Sequence, residues 1–127
     1  MNKARKLGLL VFVCLSVGFI QSCKNKEPSA IKIFVRSASN ELVSGAQVVI
    51  IGDVNSNPPT NVYVDSVLTN SSGFAVFEMK AYYDAAGEDN TVGYFDIVAK
   101  QGTKVNNSEQ IRSRAHTTAV ETVYLPN

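Results

Sequence analysis

From residue 31 onward, apolar residues recur at every second position of the chain. Ile31, Ile33 and Val35 alternate with Lys32, Phe34 and Arg36, and similar short runs follow, separated by segments containing Gly, Asn, Ser and Pro. A spacing of two places side chains on one face of a β-strand, whereas a helix requires a spacing near 3.6. The pattern therefore predicts an all-β fold of short strands packed as a sandwich, with no long helix.

Seven strands are predicted from this alternation. Five of them have a clear set of inward-facing residues, and a weaker segment at 111–115 and a final one at 118–125 complete the seven. The predicted inward sets are Ile31, Ile33 and Val35; Ala46, Val48 and Ile50; Val62, Val64 and Leu68; Ala75, Phe77 and Met79; and Phe95, Ile97 and Ala99.

Two spacings in this region resemble a known family. Gly45-Ala46-x-Val48-x-Ile50 is followed by Thr69-x-x-x-Gly73-x-Ala75-x-Phe77, which together resemble the carboxypeptidase regulatory-like domain. The resemblance implies a seven-stranded prealbumin-like (transthyretin-like) β-sandwich over residues 31–125, used as an adhesion, assembly or accessory unit. In physical terms, Gly45 relieves backbone strain at the entry to a strand, and Gly73 supplies the positive φ that closes a hairpin.

The N-terminal segment has the architecture of an export signal. Lys3, Arg5 and Lys6 precede an apolar stretch at 8–20, whose 13 residues are too few to span a bilayer as a stable helix. The stretch ends at Ile20-Gln21-Ser22-Cys23, which resembles the lipobox of bacterial lipoproteins. The resemblance implies a diacylglyceryl thioether on Cys23 and an acyl chain on its new amino terminus.

This interpretation divides the chain into a signal peptide at 1–22, a lipidated tether at 23–30 and a β-sandwich domain at 31–127. Cys14 is not the modified cysteine, because Val13 precedes it and apolar residues continue beyond it. Two alternatives remain: a plain secretory signal cut near Ser22, or a single membrane-anchoring helix. With Cys23 acylated and Cys14 removed, the domain is expected to have no disulfide.

The tether and the charge restrict where the protein acts. Lys24 stands where the inner-membrane retention signal of enteric lipoproteins has Asp, so an outer-membrane location in the bacterial cell envelope is expected, with the leaflet left open. The whole chain has a net charge of +1, but from residue 23 onward nine Lys and Arg face eleven Asp and Glu, a net charge of −2. Nucleic acid is not an expected partner, because no basic stripe is present.

The chain offers few groups for catalysis. His116 is the only histidine, so neither a zinc site nor a Ser-His-Asp triad is predicted, and a solvated histidine at a strand edge is the simpler interpretation. The 5-hydroxyisourate hydrolases share the transthyretin-like fold, but they have paired histidines and a terminal Tyr-Arg-Gly-Ser, whereas this chain ends Tyr-Leu-Pro-Asn. The prediction is a protein that is not an enzyme and has no cofactor.

Two short segments carry weaker signals. Asp84, Glu88 and Asp89 supply several oxygens over a few residues, as some extracellular Ca²⁺ sites do, but a solvated acidic turn explains them as well. Asp65-Ser66-Val67 resembles the Asp-Ser/Thr-apolar tripeptide that one group of Gram-negative bacteria O-glycosylates, which makes Ser66 a candidate acceptor.

Aromatic and aliphatic residues occupy several positions that are predicted to face solvent. Because tyrosine and phenylalanine provide large contact area, these positions are candidates for a surface that binds an envelope protein or a glycan. They are either that surface, or cross-strand pairs covering one another, or core residues of a strand whose register is shifted by one. In the alternative function, a glycan- or peptide-binding module, the loops at 52–59 and 81–90 form the binding rim. The candidates are Phe34, Tyr63, Phe74, Val76, Tyr94 and Tyr124.

Overall fold

The computed structural model describes residues 27–127, and these form an all-β sandwich with seven strands, as predicted, together with one short helix that was not predicted. In chain order the elements are β1 (Ala30–Arg36), β2 (Gln47–Gly52), β3 (Val64–Leu68), β4 (Phe74–Glu78), α1 (Lys80–Ala86), β5 (Val92–Gln101), β6 (Lys104–Arg114) and β7 (Thr118–Tyr124).

The strands form two sheets. One has three strands in the order β4-β1-β7, and the other has four in the order β3-β2-β5-β6. β1 runs antiparallel to β4 and parallel to β7, while all pairs in the four-stranded sheet are antiparallel. β1 therefore lies at the centre of its sheet, and β3, β4, β6 and β7 are edge strands.

The core lies between the two sheets and consists of the inward-facing residues of both. Predicted inward residues of β1, β2, β4 and β5, among them Ile33, Ile50, Phe77 and Phe95, are at most 1% exposed. Burying a large apolar side chain contributes about 1.5–3 kcal/mol, so this layer supplies the main stabilisation of a domain without a disulfide. The alternation in the sequence identified it most clearly in β1 and β5, whose outward positions include Lys32 and Asp96, whereas the outward faces of β2 and β4 also carry apolar residues.

The third predicted strand is in the wrong register. Val62, Val64 and Leu68 were assigned to the core, but they are exposed, and Tyr63 and Val67 pack against the core instead. Both sets of alternate residues in this segment are apolar, so the pattern alone does not distinguish the faces. Tyr63 faces inward because its ring joins an aromatic cluster at the end of the sandwich.

Two other segments also differ from the sequence-based expectation. Most of the predicted loop at 81–90 is α1, and its Tyr82 and Tyr83 are buried. β6 begins at Lys104 rather than near residue 111 and pairs with β5 along most of its length. Within residues 27–127, no helix has the length and apolarity needed to cross a membrane.

Gly73 has the backbone conformation that the sequence predicts. Its φ is +76°, and the turn that it closes between β3 and β4 is held by a hydrogen bond from its N–H to the Asn70 carbonyl. Gly45, with φ +75°, precedes β2 by two residues. Both positions lie in the left-handed region that favours glycine.

Candidate interaction surfaces

The outer surface of the three-stranded sheet brings together most of the predicted surface aromatics. In β1 and β4, Phe34 lies directly opposite Phe74, and Lys32 lies opposite Val76. In β7, Val120 lies beside Lys32, and Tyr124 beside Arg36. Residues directly across a sheet share a face. We call this surface the aromatic face; its residues are Lys32, Phe34, Phe74, Val76, Val120 and Tyr124.

Two phenylalanines and a lysine form the centre of the aromatic face. The Phe34 and Phe74 rings pack edge to face, with centroids 5.5 Å apart and planes at 61°. The Lys32 ammonium lies 4.1 Å from the Phe74 centroid and 5.0 Å from that of Phe34. A cation over an aromatic ring at an exposed site is stabilised by about 0.5–1 kcal/mol, so this contact holds the lysine across the rings.

The periphery of the aromatic face is apolar and exposed. Val76, Val120 and Tyr124 are each at least 42% exposed, although all three are large apolar or aromatic residues. A contiguous group of such residues is unusual on a monomeric domain, whereas single exposed apolar residues are normal. The face offers flat aromatic and aliphatic area with two positive charges, Lys32 at its centre and Arg36 beside Tyr124, which suits docking of a partner.

Lys32 and Val120 were not among the predicted residues of this surface. Lys32 was interpreted only as a polar residue alternating with the core, and Val120 lies in a strand that was predicted without a defined face. The missing information is the parallel pairing of β1 with β7, which sets Lys32 beside Val120. Parallel pairing of the first and last strands leaves no local signal in the sequence.

Tyr63 does not belong to an exposed surface, which corrects its assignment. Its ring packs edge to face against Tyr82, at 5.2 Å, and against Phe95, at 6.1 Å. Partial burial raises the pKa of its hydroxyl, and the nearby Asp65 carboxylate, which accepts a hydrogen bond from it at 3.4 Å, raises the pKa further. Tyr63 therefore connects β3 to the core.

Tyr94 is on the other sheet. It lies opposite Arg112 in the β5–β6 ladder, and its side chain is partly buried. Its backbone N–H donates to the buried Thr60 hydroxyl at 2.8 Å, and its carbonyl accepts from Asp53 N–H at 2.9 Å. The predicted surface is thus divided: Phe34, Phe74, Val76 and Tyr124 lie together, whereas Tyr63 and Tyr94 do not.

The segments predicted as a binding rim lie close together at one end of the sandwich, but both are structured. At 52–59, Asp53 organises a turn by accepting hydrogen bonds from the backbone N–H groups of Asn55 and Ser56. At 81–90, α1 buries Tyr82, whose hydroxyl accepts from the N–H of Asn61, two residues beyond the first segment, at 3.2 Å. The tip of the 52–59 loop and the turn after α1 are both exposed.

A groove of about 990 Å³ lies between α1, the start of the described chain and the β6–β7 turn. Its lining includes Glu27, Ser29, Asp84, Glu88 and His116. His116 is exposed with φ 61°; its backbone N–H donates to the Ser29 hydroxyl at 2.7 Å, and its Nδ1 lies 3.0 Å from the Glu27 carbonyl. His116 therefore fixes the entry of the chain into β1 from a turn, rather than from a strand edge.

The acidic residues near the groove do not form a metal-binding cluster. Asp84 pairs with Lys80 one turn earlier in α1. In the part of the chain that the structure describes, no three His, Cys, Asp or Glu side chains are close enough together to hold a metal ion. Asp84, Glu88 and Asp89 correspond to an exposed helix end and turn.

The two predicted modification sites have different outcomes. Ser66 is exposed at the middle of β3, so its hydroxyl is accessible, and it accepts a hydrogen bond from Gln47 Nε2 at 3.1 Å. Cys23 and the signal segment lie outside the described residues.

Comparison with known proteins supports the fold. A search of protein-family models finds no match to this chain, and a search of curated proteins finds none either. Among solved structures, the chain is similar to the Bacillus anthracis TIE protein, with a TM-score of 0.52 and 17% sequence identity. The match covers 80% of this chain but only 17% of that protein. At this identity the likeness concerns the fold, and it supports the assignment of a β-sandwich.

Proposed function

We propose that this protein is a non-enzymatic lipoprotein of the bacterial cell envelope, in which a carboxypeptidase regulatory-like β-sandwich is anchored by lipid on Cys23 and binds a partner protein through the aromatic face. The observation that carries the proposal is the aromatic face itself. Phe34 and Phe74 place apolar rings on the solvent-facing surface of a sheet. An isolated domain does not need apolar rings at such positions in order to fold.

The position of the N-terminus supports the anchoring part of the proposal. The chain enters the sandwich at Ser29, whose carbonyl accepts from Met79 N–H at 2.9 Å, and Ala30 N–H donates to the Thr117 carbonyl at 3.0 Å. From Cys23 to Glu27 the chain reaches at most about 14 Å when fully extended. A lipid on Cys23 therefore keeps the sandwich close to the headgroups.

Two tyrosines agree with the non-enzymatic part of the proposal. Burial is the main cause that raises the pKa values of Tyr63 and Tyr83, and both hydroxyls donate hydrogen bonds within the fold. Catalytic acids and bases commonly have pKa values moved toward the operating pH, which is the opposite of what these shifts do.

Photo-crosslinking in cells tests the interaction. A photoreactive amino acid at Phe74 is expected to give a defined protein adduct, because the ring lies at the centre of the aromatic face. The same substitution at Tyr94, a partly buried aromatic on the other sheet, is the matched control and is expected to give no such adduct. Equal adducts from both positions, or none from Phe74, would contradict the use of this face.

A glycan-binding module is the second candidate. The groove and the adjoining turn after α1 are the observation that favours it, since concave sites lined by polar and aromatic groups bind small ligands. Binding of a glycan by the purified protein, lost on shortening the turn at 87–90 and retained when Phe74 is replaced by alanine, would favour this function over protein docking.

A further inference from the structure

The outer edge of the four-stranded sheet is formed by β3, and its free backbone groups can be assigned from the register. β3 pairs with β2 so that Gly52 N–H donates to the Tyr63 carbonyl and Thr69 N–H donates to the Ala46 carbonyl. Bonded pairs alternate along an antiparallel ladder, so Tyr63, Val67 and Thr69 direct their backbone groups toward β2. Val64, Ser66 and Leu68 direct theirs away from the sheet, where no other strand of the described chain is bonded to them.

The side chains on this edge are apolar and exposed. Val64 is 65% exposed and Leu68 is 63% exposed, and both lie on the outer face of the sheet beside Ile51 and Gln47. Edge strands of soluble proteins usually carry lysine, proline or a bulge that prevents pairing with another chain. β3 has no lysine and no proline, and its ladder with β2 has no register shift.

One charged side chain acts at this edge. Asp65 Oδ1 accepts a hydrogen bond from the Ser66 N–H at 2.8 Å, so it satisfies one of the free donors. Within residues 27–127, no side chain accepts a hydrogen bond from the N–H groups of Val64 and Leu68, and the Ser66 carbonyl is not bonded to another strand. Pairing through Ser66 would replace the single bond to Asp65 by two backbone bonds across the strands.

The sequence of β3 is self-complementary about Ser66. When a second copy is placed antiparallel with Ser66 opposite Ser66, Val64 lies opposite Leu68 of the second copy, and Asp65 lies opposite Val67. Apolar residues then meet on the outer face, which favours pairing, and no like charges lie directly opposite each other, although the two Asp65 residues are diagonal neighbours about 7–8 Å apart. A two-fold axis between the two Ser66 residues pairs the free backbone groups of both copies in the same way, as a symmetric dimer requires.

We propose that the occupant of this edge is a second copy of the same chain, and that two β3 strands pair antiparallel about Ser66 to form one continuous eight-stranded sheet. The dimer uses the edge of the four-stranded sheet, so it leaves the aromatic face of the other sheet free for a partner. The pairing is independent of lipid on Cys23. It also excludes a glycan on Ser66, because the two Ser66 side chains lie next to each other on either side of the two-fold axis.

Cysteine crosslinking of the purified full-length protein tests the register. In a hydrogen-bonded antiparallel pair, the two Cα atoms are about 5.5 Å apart, so Ser66→Cys should be joined to its symmetry mate by the shortest bismaleimide. Val64→Cys should not join to itself, because four residues of strand separate the two copies by about 14 Å. Val64→Cys mixed with Leu68→Cys should give a mixed dimer. The unmodified protein, with its own cysteines, sets the background.

A second substitution separates specific pairing from chance encounter. Adding Val64→Lys to Ser66→Cys should reduce the crosslinked dimer about tenfold, since two Val–Leu contacts are replaced in the symmetric pair. Adding Val62→Lys instead should change little, because Val62 is 86% exposed and precedes the strand. Circular dichroism confirms that each variant folds. Monomer only from Ser66→Cys, self-crosslinking of Val64→Cys alone, or equal effects of the two lysines would each overturn the proposal.

Discussion

Replacing Gly73 by alanine should be one of the most damaging single-methyl changes in the domain, because two costs add there. At φ +76°, an L-residue is strained by about 1–2 kcal/mol. A Cβ at this position would also lie 2.8 Å from Leu42 Cβ, 3.0 Å from Leu42 Cδ2 and 3.3 Å from Leu42 Cα. The first contact is shorter than real Cβ atoms show, and overpacking of this kind costs about 1–3 kcal/mol. The total is about 2–5 kcal/mol.

Gly45 provides a matched control. Its φ is +75°, but a Cβ there meets nothing within 4 Å. Gly45→Ala should therefore lower the free energy of unfolding only by the cost of backbone strain, about 1–2 kcal/mol. Urea denaturation of the two variants and the unmodified protein measures both losses, and the difference isolates the contact with Leu42. In thermal unfolding, each kcal/mol corresponds to about 4–8 °C for a domain near this size.

A double variant strengthens the test. Leu42→Gly removes the Cβ that the new methyl group would meet, so Gly73→Ala should cost less in that background and approach the loss at Gly45. Equal losses for Gly73→Ala and Gly45→Ala in the unmodified background would refute the reasoning, since it would mean that the turn does not pack on Leu42 as the geometry requires.

Three further outcomes are expected. Thr69→Val should lower the free energy of unfolding, measured by urea denaturation, by about 1–3 kcal/mol. The Thr69 hydroxyl accepts from the buried Ala46 N–H at 2.9 Å, and its removal leaves that donor unpaired. A decrease below a few tenths of a kcal/mol would contradict this. Burial raises the pKa of Tyr83 above its ordinary value of 10.0, so its stabilising contribution is complete below pH 10 and declines as the pH rises through the higher folded-state pKa. Tyr83→Phe should therefore reduce the loss of stability that occurs above pH 10. An unchanged dependence of stability on pH would contradict the raised pKa of Tyr83. Phe74→Ala should cost about 0.5–1.5 kcal/mol for the lost ring pair and leave the fold intact by circular dichroism; unfolding would place this ring in the core instead of on the aromatic face.

The alternation of apolar residues was sufficient to predict the core strands where the two faces differ in polarity. In β1, Ile31, Ile33 and Val35 are buried, while Lys32 and Arg36 lie on the other face, and the side toward the core was predicted correctly. In β3 both faces carry apolar residues. The face that points to the core is determined by the ring of Tyr63, which packs against residues far away in the sequence, and a local pattern does not contain that information.

The helix and the long sixth strand were missed for different reasons. α1 has only 7 residues and no side-chain cap at its N-terminus, so neither periodicity nor a capping signal marks it. The first half of β6 is polar and mostly exposed, and it is extended only because β5 provides hydrogen-bonding partners. Such a strand is defined by its neighbour rather than by its own composition.

The candidate surface was predicted in part. Phe34, Phe74 and Tyr124 were expected to face solvent, and they do so on one sheet, but their grouping around Lys32 depends on the placement of three strands from distant parts of the chain. Tyr94 was correctly expected outside the core yet lies on the opposite sheet. Sequence alone therefore identified the residues better than it identified the surface that they form.

The mass of the protein purified from cells tests the central proposal most directly. The account predicts a mature chain that begins at Cys23, with its mass increased by a diacylglyceryl group and one acyl chain, and predicts that Cys23→Ser abolishes both the cleavage and the added mass while Cys14→Ser changes neither. A mature chain with unmodified Cys23, or one that begins at another residue, would contradict it.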